Sequence, residues 1–242
     1  MVLTPRQQEI LKAIIEEYIQ SAQPIASVEL VEKRGLKVSG ATVRNVMSDL
    51  VRLGYLQMVH VSSGRQPTDM AYRYYISELM DEDAITVLDE VALKQKIWNA
   101  RYELERLLQN ATHALSETSG NLVFSMTDDG FLYSYGTSKL LDLPEFYEIG
   151  VTKSVLRFID DYDLAKSILD KENVLDHGIS VLIGREIGLA NMDPVTLISA
   201  KFNAGDKNCY ICMVGPARLK YGKIIPLARY MCSLLDEVGQ SI

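Results

Sequence analysis

The sequence predicts an α+β protein: an N-terminal winged helix-turn-helix domain over residues 1–80, a linker and long connecting helix over 81–118, and a C-terminal α+β domain over 119–242. Three observations carry this. Three capped helical patterns open the chain, a β-branched stretch with a polar glycine-containing tip follows them, and strand-like and helix-like runs are mixed through the remainder.

A chain of 242 residues can build two domains, each with its own core, and 48% apolar with 24% charged residues is the composition of a folded soluble protein. No apolar run approaches bilayer-spanning length, and Arg6, Glu9 and Lys12 interrupt any signal-peptide core, so a cytoplasmic location without membrane partners is expected. The net charge of −7 is unevenly spread. Residues 1–80 carry 9 Lys and Arg against 8 Asp and Glu, whereas the remainder carries 16 against 24. A near-neutral first domain still suits nucleic acid if its cations gather on one face.

Thr4-Pro5-Arg6-Gln7 combines an N-cap, a proline at the first helical position and a capping-box glutamine, so a helix starts there. Ile10, Leu11, Ile14, Ile15 and Tyr18 continue it to the break at Gln23-Pro24. Ser27 is the expected cap of a short second helix with Val28, Leu30 and Val31 inward and Gly35 as its end. After three residues Ser39 caps a third helix, with Val43, Met47, Leu50 and Leu53 inward and Gly54 as terminator. Residues 55–61 read as a strand, 62–65 as a wing tip, and Thr68 as the cap of a closing helix.

The outward face of the third helix holds the candidate base-reading residues. Arg44 and Asn45 suit bidentate contact with guanine and adenine edges, Gly40 permits close approach, and Ser39 and Thr42 suit phosphate at the helix N-terminus. Ser27 of the second helix and His60, Ser63, Gly64 and Arg65 of the wing complete the candidate DNA contacts. A winged-helix module that binds protein instead would carry a similar solvated face, since fold does not fix function.

Other chemistry is poorly served. Cys209 and Cys212 are three apart in a strand-like run and so point to opposite faces, which excludes a shared metal or relaxed disulfide and leaves buried thiols. His60, His113 and His177 have no metal-ligand spacing, and the adjacent pairs Asp128-Asp129 and Asp160-Asp161 diverge and read as solvated turn acids. Without an acid–base pair, an activated nucleophile or a phosphate-cradling loop, neither an enzyme nor a cofactor is expected.

The stretches Leu3-Thr4-Pro5-Arg6-Gln7-Gln8, Ser39-Gly40-Ala41-Thr42-Val43-Arg44-Asn45 and Ser63-Gly64-Arg65-Gln66-Pro67-Thr68 closely resemble the heat-inducible transcription repressor HrcA family. Gly136-Thr137-Ser138-Lys139-Leu140-Leu141, Val181-Leu182-Ile183-Gly184-Arg185-Glu186 and Val214-Gly215-Pro216-Ala217-Arg218-Leu219 are similar to its C-terminal, GAF-like domain. The resemblance implies a repressor of chaperone operons that binds an inverted-repeat operator in double-stranded DNA as a homodimer, with the chaperonin GroEL tuning it. Typical members are longer, with a dimerising domain inserted in the GAF-like domain. Here Asp128-Asp129-Gly130 joins two alternating runs directly, which predicts a hairpin in its place.

A substitute dimer seam is visible upstream. Leu93, Ile97, Ala100, Leu104, Leu107, Ala111 and Ala114 follow heptad steps on the expected long helix and would pair across a two-fold axis or pack on the domain's own sheet. Strands are expected over 179–183, 197–202 and 209–214, and helices over 152–168 and 224–238. The alternative function is a winged-helix regulator that senses a small molecule in its C-terminal domain.

Overall fold

A computed structural model of the chain describes residues 3–58, 64–98, 100, 102–170 and 178–239. The chain divides into two compact units, Met1–Asp81 with Arg218–Lys220, and Glu82–Ala217 with Tyr221–Ile242.

In the first unit, α1 (Pro5–Ser21) starts at a capping box: Thr4 Oγ1 accepts from the Gln7 N–H at 3.3 Å and Gln7 Oε1 accepts from the Thr4 N–H at 2.9 Å. Helices α2 (Ser27–Arg34) and α3 (Gly40–Arg52) follow, with Gly35 between them in the left-handed conformation at φ 59°. Ile10, Leu11, Ile14 and Ile15 of α1 are buried with Leu30, Val43, Met47 and Leu50, each contributing roughly 1.5–3 kcal/mol of transfer free energy. Strands β1 (Leu56–Met58) and β2 (Arg65–Pro67) pair antiparallel, Met58 opposite Arg65. Thr68 Oγ1 then accepts from the Ala71 N–H and caps α4 (Asp69–Tyr74), which runs on as a π-helical turn, Tyr75–Leu79.

Two expectations for α2 fail. Ala26, not Ser27, is its N-cap, without a side-chain cap bond, and Ser27 is buried at 7% exposure. Val28 faces outward at 54% exposure. The helix is turned so that Leu30 enters the core, and that rotation carries Ser27 inward and Val28 out.

The join between α1 and α2 is electrostatic. Glu17, almost fully buried, receives Lys33 Nζ at 2.9 Å and Arg34 Nε at 3.2 Å, while Arg34 also reaches Glu16 at 3.1 Å. The Lys33 hydrogen bond holds the Glu17 carboxyl below its ordinary value against the opposing pull of burial, with the charges of Lys33 and Arg34 adding to it.

In the second unit, β3 (Leu122–Thr127), β4 (Leu132–Tyr135), β5 (Ile179–Ile183), β6 (Val195–Ala204) and β7 (Lys207–Pro216) form an antiparallel sheet in the order β4-β3-β7-β6-β5. On one face, Leu122, Phe124 and Met126 join Tyr210, Cys212 and Val214 in a core closed by α7 (Ile149–Asp160) and α8 (Tyr162–Leu169). On the other lie α6 (Leu104–Ser119) and α9 (Tyr221–Gly239), with α5 (Val87–Trp98) packed on both. Cys209 and Cys212 therefore lie on opposite faces of β7, free and buried, and burial pushes the Cys209 and Cys232 thiols up to about 11.

The hairpin β3–β4 carries Asp128 and Asp129, but these acids are held rather than merely solvated. Asp128 Oδ2 accepts from Asn208 Nδ2 at 2.8 Å, and Asp129 lies 2.6 Å from Lys207 Nζ. The single helix expected over 152–168 is two, because Asp161 takes an extended conformation and caps α8 through the Leu164 N–H at 3.0 Å.

The long connecting helix is also two helices, folded back on each other. Glu103 is extended at φ −130°, and Asn110 Nδ2 donates to the Lys96 carbonyl at 2.9 Å across the turn. Leu93, Ile97, Ala100, Leu107 and Ala111, offered as a dimer seam, are buried within the unit and Leu104 is half-buried, so the stripe packs inside its own chain. The turn lets α5 pack on α6 and α9, the helices that cover the sheet, which one straight helix does not. The segment set apart as a linker and seam is thus part of the second unit.

Glu17→Gln is expected to lower the stability of the first unit by about 1–3 kcal/mol at neutral pH, read from thermal melts. Because the folded carboxyl titrates below its unfolded value, the wild-type advantage is present above the unfolded value and lost as pH falls through the folded one. Melting curves of the two proteins should therefore converge in acid. In the second unit, Leu107→Glu would bury an unpaired carboxylate and should cost more than about 3 kcal/mol, seen as loss of cooperative unfolding in circular dichroism. A folded Leu107→Glu variant that only loses self-association would restore the seam.

Candidate nucleic-acid interface

The site is built on α3. Ser39 Oγ accepts from the Thr42 N–H at 3.1 Å, which fixes the helix start, and the Leu53 N–H donates to the Asp49 carbonyl at its end. Burial of Val43, Met47 and Leu50 sets the rotation of the helix about its axis. At 100° per residue, Ala41, Asn45, Ser48 and Arg52 then run down the middle of the opposite face, with Thr42 and Arg44 on its two flanks. All six are exposed.

The structure therefore brings together Ser39, Thr42, Arg44 and Asn45 as expected, and adds Ser48 and Arg52. Their spacing of four, three and four from Ala41 is the signal that finds them. A methyl on Gly40 would stand 3.4 Å from Val28 Cγ2, an ordinary van der Waals contact, so packing of α2 on α3 does not itself demand glycine there.

The wing also differs. Gly64 and Arg65 do not sit at a tip: Arg65 opens β2, and its backbone bridges Ile25 through N–H to carbonyl bonds of 2.8 and 2.9 Å. A Cβ on Gly64 would stand 2.5 Å from the Ile25 carbonyl carbon, so the glycine is required by the crossing chain. Arg65 is half-buried. His60 and Ser63 lie outside the described residues.

The seven cations of residues 3–58 separate into two groups. Lys33 and Arg34 are tied to Glu16, Glu17 and Glu29, Arg6 to Glu9, Arg52 to Asp49 and Lys12 to Asp81. Arg44 and Lys37 are exposed and make no ion pair among the described residues. Lys37 lies in the turn just before Ser39, beside the N-terminus of α3, where backbone N–H groups add to the attraction for phosphate.

No group of His, Cys, Asp and Glu among the described residues could hold a metal ion, and none of their helices is long and apolar enough to cross a membrane.

Residues 2–80 match the family described as the winged helix-turn-helix transcription repressor, HrcA DNA-binding, and residues 50–225 match the HrcA protein C-terminal domain. The heat-inducible transcription repressor HrcA of Clostridium acetobutylicum is 40% identical over 345 positions, covering 100% of this chain and 98% of that protein. That of Symbiobacterium thermophilum is 25% identical over 340 positions, with 99% of each covered. This chain has 242 residues, so close on a hundred positions of each relative face no counterpart here. A solved structure described as a hypothetical protein superposes with a TM-score of 0.82 at 19% identity, covering 99% of both chains, and shows a shared fold. Matched along most of its length in both parts, this chain belongs to the heat-inducible transcription repressor HrcA family.

Proposed function

We propose that this chain represses heat-shock chaperone operons by seating α3 in the major groove of an inverted-repeat operator, with two copies on each repeat. Family membership supplies the class, a DNA-binding transcription repressor. The observation that carries the mechanism is the capped α3 with Arg44 on its exposed flank next to Asn45, in no ion pair among the described residues. Ser39, Thr42, Lys37 and the first N–H groups of the helix hold phosphate and set its register, while Arg44 and Asn45 read base edges. Arg52 and Ser48 extend the same face toward the backbone.

The wing residues Gly64 and Arg65 support β2 and hold Ile25, and so act on DNA through the placement of the wing. Ser27, buried at the start of α2, supports the fold and not the contact. By family likeness we include the chaperonin GroEL as the partner that tunes repression, in the cytoplasm where the operator is. A ligand-sensing role is less well supported, because the space between the sheet and α7 is filled by Phe124, Phe146, Phe158 and Met126.

The test is binding to an inverted-repeat duplex beside a scrambled one over a range of salt, which separates phosphate attraction from base reading. Equal affinity for both would remove the operator reading. Arg44→Ala should weaken operator binding by about 1–3 kcal/mol and relax preference at one base position in each half-site. Lys37→Ala should weaken all sequences alike and flatten the salt dependence, with both effects read by fluorescence anisotropy.

A further inference from the structure

The rotation of α2 that buries Ser27 and Leu30 leaves Val28 in water at 54% exposure, and leaves it beside the base-reading helix. A lone exposed valine is ordinary and by itself means nothing. Its surroundings set this one apart. A Cβ on Gly40, the first residue of α3, would stand 3.4 Å from Val28 Cγ2 and 3.8 Å from Val28 Cα, so the first turns of α2 and α3 abut here. With glycine at 40, no side chain at that position covers the valine methyl. Ala41, next along α3, is exposed as well. Gly40 is thus bordered by two exposed apolar side chains, Val28 across the gap between the helices and Ala41 along the chain.

We propose that Val28, with Ala41, is a specificity-determining residue that packs on the C5-methyl group of a thymine in each operator half-site. This contact rests on the operator reading of α3 and adds one base to it. The N-terminal residues of a recognition helix are the ones that reach base edges, and Val28 stands against the first of them. The rest of the outward face, Thr42, Arg44, Asn45, Ser48 and Arg52, is polar.

Chemistry selects the thymine. A branched aliphatic side chain has neither donor nor acceptor, so it cannot hold a phosphate or pair with a polar base edge, and covering either one would strip it of water without replacement. In the major groove the apolar group on offer is the thymine methyl. Cytosine in its place presents an amino donor and no methyl, so the same patch that accepts thymine disfavours cytosine. Ala41 precedes Arg44 and Asn45 by about one helical turn, which sets the thymine beside the base pairs that those two residues read.

The probe is the inverted-repeat duplex that the wild-type chain selects from a pool with randomised half-sites. Each thymine of it is replaced in turn by deoxyuridine, which deletes the methyl and keeps the pairing, the phosphates and every hydrogen-bonding group. Affinity is read by fluorescence anisotropy. One thymine in each half-site should cost the wild type about fourfold when replaced, the worth of one buried methyl. Val28→Ala should cost a similar factor on the thymine duplex and nothing further on the deoxyuridine duplex, because one contact is not lost twice. Its melting temperature, its affinity for a scrambled duplex and its salt dependence should match the wild type, since the side chain already stands in water and meets no phosphate.

Losses that add, with deoxyuridine costing Val28→Ala as much as it costs the wild type, would overturn the contact, as would a wild type indifferent to every thymine methyl. A Val28→Ala loss of equal size on selected and scrambled duplexes would overturn it too, because that marks phosphate or fold and not a base. These results leave the preferences set by Arg44 and Asn45 in place, so the operator reading survives them. A wild type that selects no sequence from the pool would remove the operator reading, and the thymine contact with it.

Discussion

The rotational setting of α3 is the constraint from which the rest of the first unit follows. Val43, Met47 and Leu50 have to meet the isoleucines of α1, and a helix with one apolar stripe satisfies that demand at one angle only. The angle decides that Asn45, Ser48 and Arg52 look outward and that Arg44 and Thr42 border them. Neighbouring elements then hold the angle. Ser39 fixes the helix start, Glu17 clamps α2 to α1 through Lys33 and Arg34, and the Ile25 bridge anchors β2 beside them.

In the second unit the governing fact is that both faces of one antiparallel sheet are covered. Alternation along β3 and β7 sends Phe124 and Cys212 toward α7 and α8 while their neighbours face α6 and α9. The three thiols are inside these layers, and desolvation holds Cys209 and Cys232 far from the thiolate at neutral pH. Stress sensing through cysteine oxidation therefore has no accessible nucleophile to work with among these residues.

Much of this was legible in the sequence because it is local. The caps at Thr4, Ser39 and Thr68 bind backbone groups three residues on, and the alternating runs of β3 and β4 carry their own period. What was not legible depends on packing at a distance. No glycine or proline marks the turn between α5 and α6, so the heptad pattern reads equally well as one helix or two. Gly64 looks like a flexible tip until the chain at Ile25 is seen crossing it. Ser27 has the chemistry of a cap, yet the demand to bury Leu30 moved the helix start by one residue. Asp161 did carry a readable cap signal, concealed within a run that looks helical on both sides.

The pairing of Lys33 and Arg34 with carboxylates of the first unit bears on how the protein moves through a chromosome. A bare basic face would hold it on any stretch of duplex, and a genome offers on the order of 10⁶–10⁹ such stretches as competitors. With Lys33 and Arg34 held against Glu16, Glu17 and Glu29, those two charges are less available to detain it at random sequence. The molecule is cheap to release from the wrong site, and its residence on the right one is left to the short list of side chains that can tell one base pair from another.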